Sequence, residues 1–458
     1  MRLKRFWLVL AVLTAWLAFG GLAAAQDADP ASPAPADGAM VAPADISGSF
    51  DLERCVKRAL EANPSMNAIR AQLTGSQYGT KSAFGGFLPS ASVNYGWTNY
   101  GRKYVYSGKH SDWTSGVNVT QPVFRGFNVL ATWQKAALQE ESTSASLDNV
   151  ELTLIGNVQS NFLSLLKARM DVKSAEDSVA RLESQLKVIT AFYDVGLRPK
   201  AEVLDAEVDL ATARQGLLNA QNNVSIQETQ LNTLLNLPLE MQVDYVGKLE
   251  DIPFDLTLKE CLARAYKGRP DLVVGEKSVK IAEKDVTRAE SNFYPQVDAE
   301  WDYVNRGTDA GLSKGRYPYT NKEYWTVGVG ASMNIFRGGQ DYYNVHQYKE
   351  VVKQVEAELE NTRLNAGFEV KQALLNIKSA ADSIDVARKS VEAATEAYRM
   401  AVARYQAQVG TNTDVLNAQS RLTETEAQLS QSLANYGTAI STLYVAMGEK
   451  NLGLKEAK

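Results

Sequence analysis

Three carboxylates stand two residues apart in Gln296-Val-Asp298-Ala-Glu300-Trp-Asp302-Tyr303. In an extended chain alternate side chains share a face, so Asp298, Glu300 and Asp302 project together from one side of a strand. Acids stacked along the wall of a lumen favour cations. The rest of the chain offers little for covalent chemistry. The only histidines, His110 and His346, have no metal-ligand spacing between them. There is no P-loop, nucleophile elbow or dinucleotide fingerprint, and Gly85-Gly86 and Gly338-Gly339 fall at helix–strand junctions where they permit a bend. A positioned acid–base pair cannot be assembled from these residues. The chain therefore reads as no enzyme, with no cofactor and no metal. The two cysteines, Cys55 and Cys261, are open to two readings, a pair of buried small residues or a disulfide, because spacing says nothing of their Cα separation.

The acids need a strand, and four segments supply one each. Ala91, Val93, Tyr95 and Trp97 alternate with Ser92, Asn94 and Thr98; Trp113, Val117, Val119 and Val123 alternate with Thr114, Gly116, Asn118 and Thr120. Val297, Ala299, Trp301 and Tyr303 alternate with the acids, and Trp325, Val327, Val329, Met333 and Ile335 with Thr326, Gly328, Gly330 and Ser332. Each run is about 10 to 12 residues, the length that crosses a bilayer at a tilt. Aromatics mark both ends: Trp97, Trp113, Trp301, Tyr303, Tyr324 and Trp325 toward the hairpin tips, and Phe87, Phe124, Phe293, Tyr294 and Phe336 toward the flanking helices. Two girdles around an apolar band predict strands of an outer-membrane barrel, with the loops at 101–112 and 307–322 facing the exterior. Four strands cannot close, and an open edge cannot sit in lipid. Closure must come from further copies: two would supply eight strands and three would supply twelve, the wider ring suiting a water-filled lumen.

Around the strands the chain is written twice. Asp51-Leu-Glu-Arg-Cys55 through Asn63-Pro64 returns as Thr257-Leu-Lys-Glu-Cys261 through Arg269-Pro270, and Phe87-Leu-Pro89 as Phe293-Tyr-Pro295. Pro122-Val-Phe-Arg-Gly126 is echoed by Asn334-Ile-Phe-Arg-Gly338. A spacing of about 210 residues is one duplicated half, not a solenoid. Each half predicts a helix (52–84 and 258–292), two strands, a helix of about 70 residues and about 100 Å (126–195 and 339–409), a turn, and a half-length return helix (203–235 and 415–447). Leu165, Ala168, Val172, Ala175, Val179, Leu182, Leu186 and Ile189 keep a 3-4 spacing, as do Ile377, Ala381, Ile384, Val391, Ala394, Tyr398, Ala401 and Tyr405. Such stripes are helix-packing seams of the coiled-coil kind.

Composition fits an exported chain. Arg2, Lys4 and Arg5 precede an apolar run from Phe6 to Leu22 and the small residues Ala23-Ala24-Ala25, a signal peptide over 1–25. Residues 26–49 form an Ala/Pro-rich leader without apolar periodicity. The repeats then occupy 50–245 and 257–448, joined by a linker at 246–256 and followed by a tail at 449–458. A net charge of −5, more acidic once the signal is removed, excludes nucleic acid as a partner.

A signal peptide, a duplicated helix-strand-strand-long helix-turn-helix unit, aromatic-girdled hairpins, and the tips Val195-Gly196-Leu197 and Val409-Gly410-Thr411 followed by Val-Leu together resemble the TolC family of outer-membrane efflux channels. The likeness runs from Phe50 to Gly448. It implies a mixed α and β membrane protein: a homotrimer whose subunits each give four strands to a twelve-stranded barrel, continued by an α-helical barrel across the periplasm. It also implies passive export of drugs or secreted proteins, in a tripartite efflux pump or type I secretion system, with a periplasmic adaptor (membrane fusion protein) and an inner-membrane transporter. The competing expectation is a soluble periplasmic coiled-coil adaptor without a pore, which would carry lipoyl-like segments around a single helical hairpin.

The resemblance also implies site residues. Family members close the periplasmic end by folding the second hairpin inward behind acids, and Asp414 and Glu202 stand at the matching positions. The chain departs at Asn412, where many relatives carry a basic residue, and at Asn417, where a further acid is common; Arg198 and Lys200 on the opposite hairpin are candidates for the missing cation. Glu202, Asp414, Arg198 and Lys200 are thus expected to hold the tip shut, the alternative being solvated charges at helix starts. The tips Val195, Gly196, Leu197, Val409, Gly410 and Thr411 are the expected adaptor contacts, each glycine also suiting a left-handed helix cap.

Overall fold

The computed structural model describes residues 48–104, 109–251, 253–312 and 322–454. The expected signal peptide, almost all of the leader, the outer parts of both hairpin loops and the last four residues of the tail lie outside the described residues.

Two half-chains carry the same order of elements. The first runs α1 (Leu52–Ala62), α2 (Pro64–Phe84), β1 (Ser90–Asn99), β2 (Ser111–Arg125), α3 (Asn128–Asp194) and α4 (Lys200–Leu234). The second runs α5 (Leu258–Gly268), α6 (Pro270–Glu290), β3 (Gln296–Gly307), β4 (Glu323–Ser332), α7 (Gln340–Gln406) and α8 (Asn412–Met447). Both long helices have 67 residues, about 100 Å at 1.5 Å per residue.

The helices expected over 52–84 and 258–292 are each broken once, at Asn63-Pro64 and Arg269-Pro270. A proline has no N–H to donate and its ring clashes with the preceding turn, so it opens a new helix instead of continuing the old one. Asn63 caps the second piece through the Ser65 N–H at 2.9 Å. Arg269 braces the other break, its guanidinium 2.6 Å from Asp271 and 2.7 Å from Glu369. The fourth strand ends at Ser332, short of the Ile335 expected from alternation.

The strands join into one antiparallel sheet of order β1-β2-β3-β4. The β2–β3 pairing, between the half-chains, fuses the two expected hairpins into a single surface. A bulge at Val123 shifts this register: Pro122 faces Asp298, but Phe124 faces Val297 and Arg125 faces Gln296. One extra residue reverses side-chain parity. Phe124 is thereby sent to the apolar face and Arg125 to the wet face.

The helices follow the same linear order as the strands. Above the breaks α2 packs on α3, α3 on α6 and α6 on α7; below them α4 packs on α3, α3 on α8 and α8 on α7. The protomer is thus a curved wall with β1, α2 and α4 along one edge and β4 and α7 along the other. One apolar core sits where α5, α7 and α8 meet, around Cys261, Val370, Ile377, Ile440, Leu443 and Met447. Cys55 and Cys261 are both buried and unbridged. Among the described residues no helix is long and apolar enough to cross a membrane.

Candidate functional site

The sheet separates its two faces as alternation requires. Val93, Tyr95 and Trp97 on β1 and Trp325, Val327 and Val329 on β4 share the apolar face and are each more than half exposed. In the register Trp97 pairs with Trp113 and Tyr303 with Trp325, while Trp301 lies one row further along, between Val119 and Val327. Five of the expected girdle aromatics therefore fall within four successive rows of one face, the row of Tyr95 and Ser115 lying between the Trp97 row and the Tyr303 row. Tyr324 is on the other face: it pairs with Val304, and its ring stacks under the Arg306 guanidinium at 5.6 Å. The correction follows from parity, since a residue next to Trp325 must point the opposite way.

On the wet face Asp298, Glu300 and Asp302 stand in line. Arg125, delivered there by the bulge, meets Asp298 at 2.8 Å. Asn118 Nδ2 donates to Asp302 Oδ1 at 2.7 Å. Glu300 between them is exposed, its row neighbours being Thr120 and Gly328. The line is therefore an exposed carboxylate, with no ion pair among the described residues, flanked by an ion pair and a hydrogen-bonded acid. Sequence spacing found the acids but not Arg125, because a bulge leaves no periodic signal.

At the far end of the helices the two turns differ. Gly196 takes a left-handed conformation with φ at 79°, and the Gly196 and Leu197 N–H groups donate to the Tyr193 and Phe192 carbonyls at 2.8 and 2.9 Å. That satisfies the last carbonyls of α3. After α7 the left-handed residue is Gln408, with φ at 62°, not Gly410. Gly410 is instead held against the last turn, where an added Cβ would stand 3.2 Å from Arg404 Cβ. Val195, Leu197 and Val409 are exposed, at 68%, 54% and 68%.

The two turns are tied together by a small network. Arg198 Nη1 donates to Glu202 Oε1 and Nη2 to the Gly410 carbonyl, both at 3.3 Å. Its guanidinium also lies 5.0 Å from the centre of the Tyr405 ring. The Tyr405 hydroxyl donates to Glu202 Oε2 at 3.1 Å. Burial, and then the bond to Glu202, push the Tyr405 phenol up to about 12. Ile189, Ala206 and Val415 close the apolar side of this contact.

Three of the expected gate residues stand elsewhere. Asp414 spends its carboxylate on its own helix, accepting from the Thr411 N–H at 3.0 Å while its own N–H donates to Thr411 Oγ1 at 3.2 Å. This is a capping box, and the bond from the Thr411 backbone holds the Asp414 carboxyl below the usual range. Lys200 is exposed at the start of α4 and makes no ion pair among the described residues. Asn412 is buried, its Oδ1 accepting from Gln185 Nε2 at 3.1 Å. Tyr405 was legible only as a seam residue; the missed signal is that a phenol in a packed seam needs a partner for its hydroxyl.

The family model described as outer membrane efflux protein matches residues 55–237 and 261–449. The chain belongs to that family. As an outer membrane efflux protein it is a channel protein of the TolC type and not an enzyme. It is 23% identical over 416 residues to outer membrane efflux protein BepC of Brucella suis, covering 90% of this chain and 88% of that one. Outer membrane protein TolC of Vibrio cholerae is 25% identical over 197 residues, 42% of this chain and 45% of that one. Among solved structures, VceC of Vibrio cholerae superposes with a TM-score of 0.74 at 17% identity over 87% of this chain and 96% of its own. The CmeC outer membrane channel of Campylobacter jejuni does so with a TM-score of 0.74 at 18% identity over 89% and 87%. The outer membrane efflux protein fold thus extends over nearly the whole described chain.

Proposed function

We propose that this efflux protein works as a closed ring of three copies, a twelve-stranded barrel in the outer membrane continued by helices through the periplasm. The observation that carries the reading is the sheet itself. Among the described residues its β1 and β4 edges pair with no further strand, and its apolar face is exposed. An unpaired edge and an apolar face of this length are untenable in water and in lipid unless further copies close the ring. The equal halves, element for element, fit descent from a tandem duplication.

In such a ring the wet face lines the lumen, and Asp298, Glu300 and Asp302 form stacked carboxylate rings that favour cations. With no nucleotide motif in the chain, energy for transport comes from an inner-membrane transporter coupled through a periplasmic adaptor. The exposed Val195, Leu197 and Val409 at rigid, capped turns are the docking candidates, with Gly196, Gly410 and Thr411 shaping the turns. Arg198, Glu202, Tyr405 and the Gly410 carbonyl form the latch of the resting state, linking the two hairpins of one protomer. Asp414 and Lys200 support that tip without bridging it, and Asn412 adds a further tie between the hairpins through Gln185.

Sedimentation of the detergent-solubilised protein together with planar-bilayer recording tests the ring. Three-copy particles that conduct are expected; single chains and silent bilayers would refute it. Co-purification of an adaptor and an inner-membrane transporter tests the pump assignment.

A further inference from the structure

The charge of the wet face changes sign along the strands. Toward the helices it carries Asp298, Glu300 and Asp302, with Arg125 answering one of them. Toward the hairpin tips the same face carries Arg306 and Lys322, which stand directly opposite each other, the Arg306 N–H donating to the Lys322 carbonyl at 2.9 Å. Arg102, Lys103 and Lys109 follow in the first hairpin loop, all exposed. The acids near them carry less weight. Asp112 is 3% exposed, Asp309 lies in the next turn, and Glu323 points to the apolar face, where it accepts from the Tyr303 hydroxyl at 2.7 Å. At about 3.3 Å per residue, Glu300 and Arg306 stand about 20 Å apart along β3. That exceeds the screening length of about 8 Å at physiological salt, so the two levels act as separate fields.

Aromatic rings gather at the cationic level. Tyr100 continues β1 by one row, its N–H donating to the His110 carbonyl at 2.6 Å. Parity puts it on the wet face with Thr98 and His110. The Tyr104 ring stacks on it, with centroids 4.4 Å apart and planes 3° from parallel. Arg306 and Asp112 are its charged neighbours. Across the face Arg306 lies over the Tyr324 ring, and its Nη2 donates to the Tyr324 hydroxyl at 3.3 Å. The guanidinium meets no carboxylate at ion-pair distance among the described residues, and its Nε is buried without a partner. Arg306 is thus held in place by a ring and not by a counter-charge. A cation fixed in that way is left for an anion brought to it.

We propose that this outer level of the wet face is a binding site for aromatic anions, with Arg306 and Lys322 holding the acid group and Tyr324, Tyr100 and Tyr104 offering ring faces. The planar guanidinium suits a carboxylate or sulfonate, to which it can give parallel hydrogen bonds, and Lys322 adds a point charge. The tyrosines discriminate further, because a small inorganic anion gains nothing from stacking. The site rests on the ring proposed above, in which the wet face lines the lumen. It adds a cargo class to that reading: aromatic carboxylates and sulfonates are held at the exterior mouth, beyond the acid rows that favour cations.

Planar-bilayer recording tests it, with naphthalenedisulfonate as the probe and ethanedisulfonate as its non-aromatic counterpart. Added on the exterior side, naphthalenedisulfonate should block the wild-type current at a concentration about tenfold below that needed of ethanedisulfonate. Arg306→Gln should raise the half-blocking concentration of naphthalenedisulfonate about tenfold. Lys322→Gln should raise it as well, which keeps the test decisive if Arg306→Gln assembles poorly. Equal block by the two disulfonates would overturn the proposal. So would block that is unchanged in the assembled variants, or that is seen only from the periplasmic side. Those results come from conducting channels and leave the channel reading intact. A particle that is a single chain and electrically silent overturns both.

Discussion

Single residues decide how the tip is held. Tyr405 donates one hydrogen bond across the hairpins, so Tyr405→Phe should weaken the proposed latch by about 1 kcal/mol. Single-channel recording should then show an open fraction raised about fivefold. The phenol's proton affinity in the folded tip lies above its ordinary value near 10, because burial and Glu202 both oppose the phenolate. A raised folded value means that the contribution is complete below about pH 10 and is lost as pH climbs from there toward about 12. Conductance should rise over that interval in the wild type and stay level in Tyr405→Phe. Asp414→Ala behaves differently, since its carboxylate caps α8. It should lower thermal stability by about 0.5–2 kcal/mol, read by circular dichroism, and leave single-channel behaviour at the wild-type level.

Among the elements, β2 carries the most specific instruction. The bulge at Val123 is what turns Phe124 outward and Arg125 onto Asp298. Adding one residue between Val123 and Phe124 reverses that parity, moving Arg125 to the apolar face and Phe124 to the wet one. Outer-membrane extracts should then contain little assembled oligomer, whereas Val123→Ala, which keeps the residue count, should assemble normally. Equal yields from the two would show that register at this point is unimportant. The proline breaks after α1 and α5 act at the same scale, ending each short helix where α2 and α6 must start along the wall.

At the scale of the whole molecule, the charge of the proposed lumen comes from repetition. A single Glu300 is a solvated acid; three of them around the proposed ring would make a field that selects ions. Glu300→Gln should reduce cation preference, seen as a reversal potential closer to zero in a salt gradient. Asp298→Asn should reduce it further, because it also leaves Arg125 as an unpaired cation in the same ring. An unchanged potential in both variants would remove the wet face from the conduction path.

Much was legible in the linear chain because it depends on local periodicity. Alternation in Val297, Ala299, Trp301 and Tyr303 gives a two-faced strand wherever it is placed, and an unbroken run without proline or a turn signal gives a helix of 67 residues. The repeated order of elements and the positions of the two turns were legible for the same reason, as repeated local patterns. What only the tertiary structure decided are contacts between segments far apart in sequence. Arg125 reaches Asp298 across 173 positions through a bulge, and Tyr405 reaches Glu202 across 203. Gly410 gives up the left-handed cap to Gln408 so that the chain can lie on Arg404. Local pattern fixes which face a residue takes; which partner waits on that face is set by register and packing, and those are properties of the assembled wall.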